Sequence, residues 1–128
     1  MILDSSAIVA LFFKEPGYES LRYKLVDAEV LAISAATLVE TAIVLSARLK
    51  TDARGSLARF IEENGVIVVP FTEEHYGIAV TAWLKYGKGR HPAALNFGDC
   101  LSYATANAAE MSLLCTGDDF PQTDLMLA

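Results

Sequence analysis

Little in the chain supports a cross-linked, fibrous or membrane-spanning protein. It holds only two cysteines, Cys100 and Cys115, too few for a disulfide scaffold and at a spacing that makes no zinc motif. Both are expected to be reduced, buried thiols of a cytoplasmic protein. Four prolines and eight glycines among 128 residues leave no collagen-like repeat, low-complexity segment or linker. Asp4 interrupts the N-terminus after three apolar residues, so no secretory signal peptide is expected. The most apolar stretch, 30–49, carries Glu40 at its middle and Arg48 near its end, which is wrong for a lipid-facing span. Basic charge is scarce too. Ten Lys and Arg stand against sixteen Asp and Glu, a formal charge of −6, so nucleic acid is not held by net charge alone.

What is present is a well-buried α/β pattern. With 53% hydrophobic residues, the chain suits a single domain, 1–128, around one core. Met1-Ile2-Leu3 reads as a strand, followed by the N-cap types Asp4-Ser5-Ser6 and a helix from Ala7 to Phe13. Pro16-Gly17 breaks that helix, and Tyr18 to Asp27 has the charge spacing of a partly exposed one. Val30 to Ile33 is a second strand. Ser34 then caps a helix to about Leu49, and Thr51 to Glu63 gives another, with Leu57, Phe60 and Ile61 inward and Gly65 at its end. The β-branched run Val66-Ile67-Val68-Val69 predicts a strand covered on both faces. Thr72-Glu73-Glu74 opens a helix with Tyr76, Ala79, Val80 and Trp83 at helical spacing, and Gly87-Lys88-Gly89 ends it. Gly98-Asp99 opens the last helix, to about Ala109; Leu113 to Cys115 makes a short strand and Thr116 to Asp119 a turn. Strands alternating with helices predict an α/β fold with a mainly parallel sheet.

Open parallel sheets bind their ligands beyond the carboxyl ends of the strands. Asp4 leaves the first strand, Asp118 and Asp119 leave the last, and Asp99 begins the helix that feeds it. Glu40 lies in the second turn of the helix after the second strand, and its helical neighbours Ala36, Thr37, Ile43 and Val44 include no cation. Each acid also has an ordinary use. Asp4 and Asp99 can cap helices, Asp118 and Asp119 can shape a turn, and Glu40 can reach solvent. Gathered on one edge, however, carboxylates repel by about 1 kcal/mol per pair at 4 Å in water, and more in a crevice, so the set calls for a cation. Hard oxygen donors with no His or Cys among them select Mg²⁺, with Mn²⁺ as a substitute. Asp4 and Asp99 are the expected ligands. Glu40 and one of Asp118 and Asp119 would orient water or act as base, and Ser5, Ser6 and Thr116 would hydrogen-bond behind the ligands. The chemistry this supports is metal-assisted cleavage of a phosphodiester.

Near the acidic edge the chain turns basic. Lys85-Tyr86-Gly87-Lys88-Gly89-Arg90-His91 offers Lys85, Lys88 and Arg90, joined by Arg54 or Arg59 if either approaches, to a polyphosphate backbone. The loop lacks the spacing of a P-loop. His75 and His91 are isolated and are read as surface or loop residues. Tyr76, Trp83 and Tyr103 are assigned to the core or a subunit contact. Cys100 has no adjacent His and makes a poor nucleophile.

Taken together, Met1 to Ala7, Glu40 in its Ala-rich helix, Gly87 to His91 running through Leu95 to Cys100, and Thr116 to Phe120 with Thr123-Asp124 resemble the PIN-domain ribonucleases. More narrowly, they resemble the VapC-type toxins of bacterial toxin-antitoxin pairs, over essentially the whole chain. The resemblance implies a three-layer α/β/α fold around a short, mainly parallel sheet. It also implies a magnesium-dependent endoribonuclease acting on structured RNA, a VapB-type antitoxin inserted into the acidic groove, and a homodimer. Asp4, Glu40 and Asp99 match the first three family acids, while Asp118 and Asp119 both stay open as the fourth. The competing expectation is a catalytically weak RNA-binding or protein-interaction module whose acidic groove docks a basic partner. An aspartyl-phosphate phosphohydrolase would want a second Asp two residues after Asp4, where Ser6 stands.

Overall fold

A computed structural model describes residues 1–128. In chain order the elements are β1 (Ile2–Leu3), α1 (Ser5–Phe12), α2 (Tyr18–Asp27), β2 (Ala32–Ser34), α3 (Ala35–Leu49), α4 (Arg54–Glu63), β3 (Ile67–Val69), α5 (Glu73–Tyr86), α6 (Phe97–Ala109) and β4 (Leu113–Leu114), followed by a 3₁₀ turn at Phe120–Gln122. The strands form one parallel sheet in the order β3-β2-β1-β4.

Side-chain alternation along the strands builds the layers. Leu3, Ile33 and Leu114 point to one face and pack with α1, α2, α3 and α4. Their neighbours Ile2, Ala32 and Leu113 point to the other and pack with α5, α6 and Phe120. The result is the three-layer α/β/α arrangement around a short parallel sheet. Local chemistry sets the helix starts. The Asp4 carboxylate caps α1 by accepting from the Ser6 N–H, and Ser34 caps α3 by accepting from Ala36. Asn96 and Asp99 cap each other at α6, and Thr72 with His75 does the same at α5. His75 is thus a capping residue. No helix is long and apolar enough to cross a membrane.

One expectation fails. β3 is not covered on both faces: it is the outermost strand, bonded only to β2, and Ile67 is 54% exposed with Val68 close behind. Only Val66, just before the strand, is buried. The β-branched run reported a preference for extended backbone, which an edge strand shares with a central one. On the opposite layer Tyr103 is buried, whereas Tyr76 and Trp83 lie on the surface of α5. With Val39, Phe71, Val80 and Phe97 they line an open apolar groove of about 700 Å³ between α3, α5 and α6.

Candidate active site

The strand order puts β1 between β2 and β4. The chain leaves β1 in one direction, through β2 to β3, and returns on the other side at β4. A crevice opens at such a reversal, beyond the carboxyl ends of the adjacent strands β1 and β4. Asp4 follows β1 into it, and Cys115-Thr116 follow β4.

Asp4 is the anchor. Its side chain is buried, yet every polar atom is matched, as are all the buried polar side-chain atoms of the protein. Oδ2 accepts from the Ser6 N–H at 3.0 Å and from the Ser6 hydroxyl at 2.6 Å. Oδ1 accepts from the Ser102 hydroxyl of α6 at 2.5 Å. The Ser6 oxygen in turn accepts from the Thr116 N–H at 3.0 Å, which fastens the turn after β4 to the start of α1. Ser6 thus bonds Asp4 directly, whereas Thr116 reaches it only through Ser6 and with its backbone, not its hydroxyl.

Glu40 reaches across from α3 and lies against Gly98, in the first turn of α6. A Cβ on Gly98 would fall 1.9 Å from Glu40 Oε2, so only glycine leaves the carboxylate room at this point. The helix N-terminus beneath it favours negative charge. Even so, burial raises the Glu40 pKa, the Ser5 hydroxyl partly offsets this, and the charge of Asp4 raises it further.

Asp99 carries the largest disturbance among the acids. Its Oδ2 accepts from the Asn96 N–H at 3.0 Å in the capping arrangement, which tends to hold the carboxyl down. Burial, followed by the charges of Asp4, Asp119 and Glu40, outweighs that bond and lifts the pKa to about 6. Asp119 acts on Asp99 in this way and Asp118 does not; the Asp118 carbonyl instead accepts from the Gln122 amide at 3.0 Å. No salt bridge touches any of these acids: the ion pairs are Arg48–Glu15, Arg54–Asp52 and the long Arg59–Glu63 contact.

Both thiols stay protonated near neutrality. Burial, reinforced by neighbouring carboxylates, pushes Cys100 and Cys115 to about 11. This agrees with leaving Cys100 out of the chemistry.

The basic loop joins the crevice through Gln122, whose amide also donates to the Pro92 carbonyl at 3.4 Å. Arg90 stacks its guanidinium 4.6 Å from the Trp83 ring centroid, Lys85 lies 4.9 Å over Tyr86, and Lys88 is exposed. Arg54 and Arg59 do not add to the loop: Arg54 pairs with Asp52 just before α4, and Arg59 has the long contact to Glu63 on α4. His91 is used structurally: its ring nitrogen accepts from the Ala93 N–H at 3.0 Å and its edge meets Tyr86.

The donor set fits a hard divalent cation. Asp4, Glu40, Asp99 and Asp119 bring oxygen only, and their mutual charge has no protein cation to offset it. No three ionisable side chains stand close enough to form a ready cage. Sequence reasoning missed Ser102, Thr37, Gly98 and Gln122. The positions of Ser102, three residues after Asp99, and of Thr37, three before Glu40, were the available signal, since that spacing puts each on its acid's helix face.

Comparison with known proteins adds to this. Residues 1–125 match the family model described as the PIN domain. The chain is 48% identical to Ribonuclease VapC36 of Mycobacterium tuberculosis over 126 residues, covering 98% of this chain and 91% of that protein. Among solved structures, it superposes on Mycobacterium tuberculosis VapC20, described as a sarcin-ricin loop cleaving toxin, with a TM-score of 0.79 at 20% identity over 99% and 97% of the two chains. It also superposes on a chain of VapBC2 from Rickettsia felis, solved with a promoter DNA fragment, with a TM-score of 0.76 at 18% identity over 99% and 96%.

Proposed function

The chain belongs to the PIN-domain family, among the VapC ribonucleases, and from that premise we propose that it is a metal-dependent endoribonuclease serving as the toxin of a toxin-antitoxin pair. The observation that carries the proposal is the gathering of Asp4, Glu40, Asp99 and Asp119 at the strand reversal with no protein cation among them. Asp4 and Asp99 would hold Mg²⁺, or Mn²⁺ in its place. A divalent cation there supplies Lewis acidity toward the phosphate and makes water acidic enough to attack at neutral pH. Glu40 and Asp119 flank the ligands, where each can orient a water or accept its proton. Of the two candidate aspartates in the last turn, Asp119 is the one we assign, because its charge acts on Asp99. Lys88 and Arg90, with Lys85 beside them, would hold the RNA backbone by phosphate contact, which positions without specifying sequence.

The same surface supports the partner assignments. An acidic crevice attracts a basic segment, which suits a VapB-type antitoxin that silences the enzyme by occupying its site. The adjoining apolar groove, where Phe97 is 81% exposed, offers area for that partner or for a second copy in a homodimer. We place the protein in the cytoplasm, acting as one domain.

Cleavage of labelled bacterial RNA by the purified chain in Mg²⁺, beside EDTA and Asp99→Asn samples, tests the proposal. Discrete cuts lost in both controls are expected. RNA left whole by the folded, partner-free enzyme would favour the docking-module alternative.

A further inference from the structure

A chain of buried hydroxyls ends on Asp4 and is absent from the proposed chemistry. The Ser102 hydroxyl has one proton, and at 2.5 Å from Asp4 Oδ1 it donates that proton to a carboxylate that can only accept. The Ser102 oxygen therefore faces Thr37 Oγ1, 3.4 Å away, as an acceptor, and Thr37 is the donor. The Thr41 hydroxyl does not compete, because it donates to the Thr37 carbonyl at 2.7 Å. The direction runs Thr37 to Ser102 to Asp4, with all three side chains out of solvent.

Each member sits beside an acid of the crevice. Thr37 is one turn before Glu40 on α3, Ser102 is one turn after Asp99 on α6, and the chain terminates on Asp4 itself. We propose that Ser102, backed by Thr37, is a positioning residue that fixes the rotation of the Asp4 carboxylate and the spacing of Asp4, Glu40 and Asp99 for a divalent cation. The Asp4 hydrogen bonds give this a specific form. Each carboxylate oxygen has two acceptor positions; Ser6 fills both on Oδ2, whereas Ser102 fills one on Oδ1 and leaves one open. Without Ser102 the carboxylate is held from the Oδ2 side alone, and the direction of the open position on Oδ1 is less closely fixed. The inference rests on the acidic metal site proposed above.

The test measures Mn²⁺ binding to the metal-free chain by electron paramagnetic resonance, with a thermal melt of each variant. Loss of a hydrogen-bonding partner behind a metal ligand typically weakens metal binding about 10- to 100-fold, and that loss is expected for Ser102→Ala. Thr37→Val removes the donor to Ser102 but keeps the Ser102–Asp4 bond and should lose less, whereas Thr37→Ser should keep wild-type affinity. A merely structural role would lower the melting temperature of Ser102→Ala while its folded form bound Mn²⁺ as the wild type does, and that result overturns the inference. Should Ser102→Ala not fold, Thr37→Val carries the test, and wild-type affinity in it is equally fatal. Asp99→Asn separates the two levels. If it binds Mn²⁺ as well as the wild type, or if the wild type binds none, the metal site falls and the inference with it.

Discussion

Asp99→Asn should stabilise the metal-free protein at neutral pH, against the usual outcome of changing a half-buried residue. The folded Asp99 carboxyl has a pKa of about 6, above the ordinary aspartate value of 3.8, mainly through burial and then through the charges of Asp4, Asp119 and Glu40. The sign follows from proton counting. Between about pH 4 and pH 6 the folded chain holds a proton that the unfolded chain has released, so stability falls as pH rises through that window. Above pH 6 the full penalty is present. Two pKa units correspond to about 3 kcal/mol, but Asp99 is partly open to solvent, and screening reduces this to about 1–2 kcal/mol. Asparagine removes the charge while its side-chain oxygen can still accept from the Asn96 N–H, so the helix cap survives. For a chain of this size the gain is about 3–8 °C in melting temperature at pH 7, shrinking toward zero at pH 4. Circular-dichroism melts in EDTA at pH 4, 5, 6 and 7 provide the assay. A variant that melts below the wild type at pH 7, or a difference that does not change with pH, would refute the picture of crowded carboxylates and leave Asp99 as a helix cap.

Magnesium should reverse the order, raising the wild-type melting temperature by the equivalent of about 2.7 kcal/mol at a hundredfold excess over Kd while leaving Asp99→Asn nearly unmoved. Gly98→Ala should fold at least as well as the wild type, because Ala is favoured over Gly in a helix by about 1 kcal/mol, yet lose RNA cleavage as the new methyl displaces the Glu40 carboxylate. A variant with full activity would show that Glu40 does not act from its present place. Lys88→Ala and Arg90→Ala should weaken RNA binding across sequences, each reducing the slope of log K against log salt by about 0.7, as read by fluorescence anisotropy at several salt concentrations. Unchanged slopes would remove the loop from the RNA path.

Much of this site could be seen in the order of residues, and the reason is local. Asp4 directly follows a two-residue strand and caps the next helix, so its address is fixed within a few positions. Asp99 was found in the same way, by its place at a helix start. Glu40 stood out by having no local cation. The choice between Asp118 and Asp119 could not be made, because it depends on how Gly117, at φ +86°, and the 3₁₀ turn after it aim two adjacent carboxylates. Ser102 was hidden for a different reason. A serine inside an apolar helix announces nothing until α6 lies against the end of β1, a contact between positions 98 apart. The misplacement of β3 has the same root, since residue type records what backbone a segment prefers and not which neighbours cover it.

The distance in sequence between Asp4 and Ser102 also governs when the crevice can form. A chain under synthesis displays Asp4 from the outset but lacks Asp99, Ser102 and Asp119 until the last fifth or so has been made. β1 can pair with β4 only after everything between them is in place. Parallel pairing across so long a loop is slow to form, because chain entropy must be lost before the contacts repay it. A chain that stops before α6 therefore lacks Asp99, Ser102 and Asp119 and cannot close the crevice around Asp4. The topology thus makes the acidic crevice one of the last features of the fold to form.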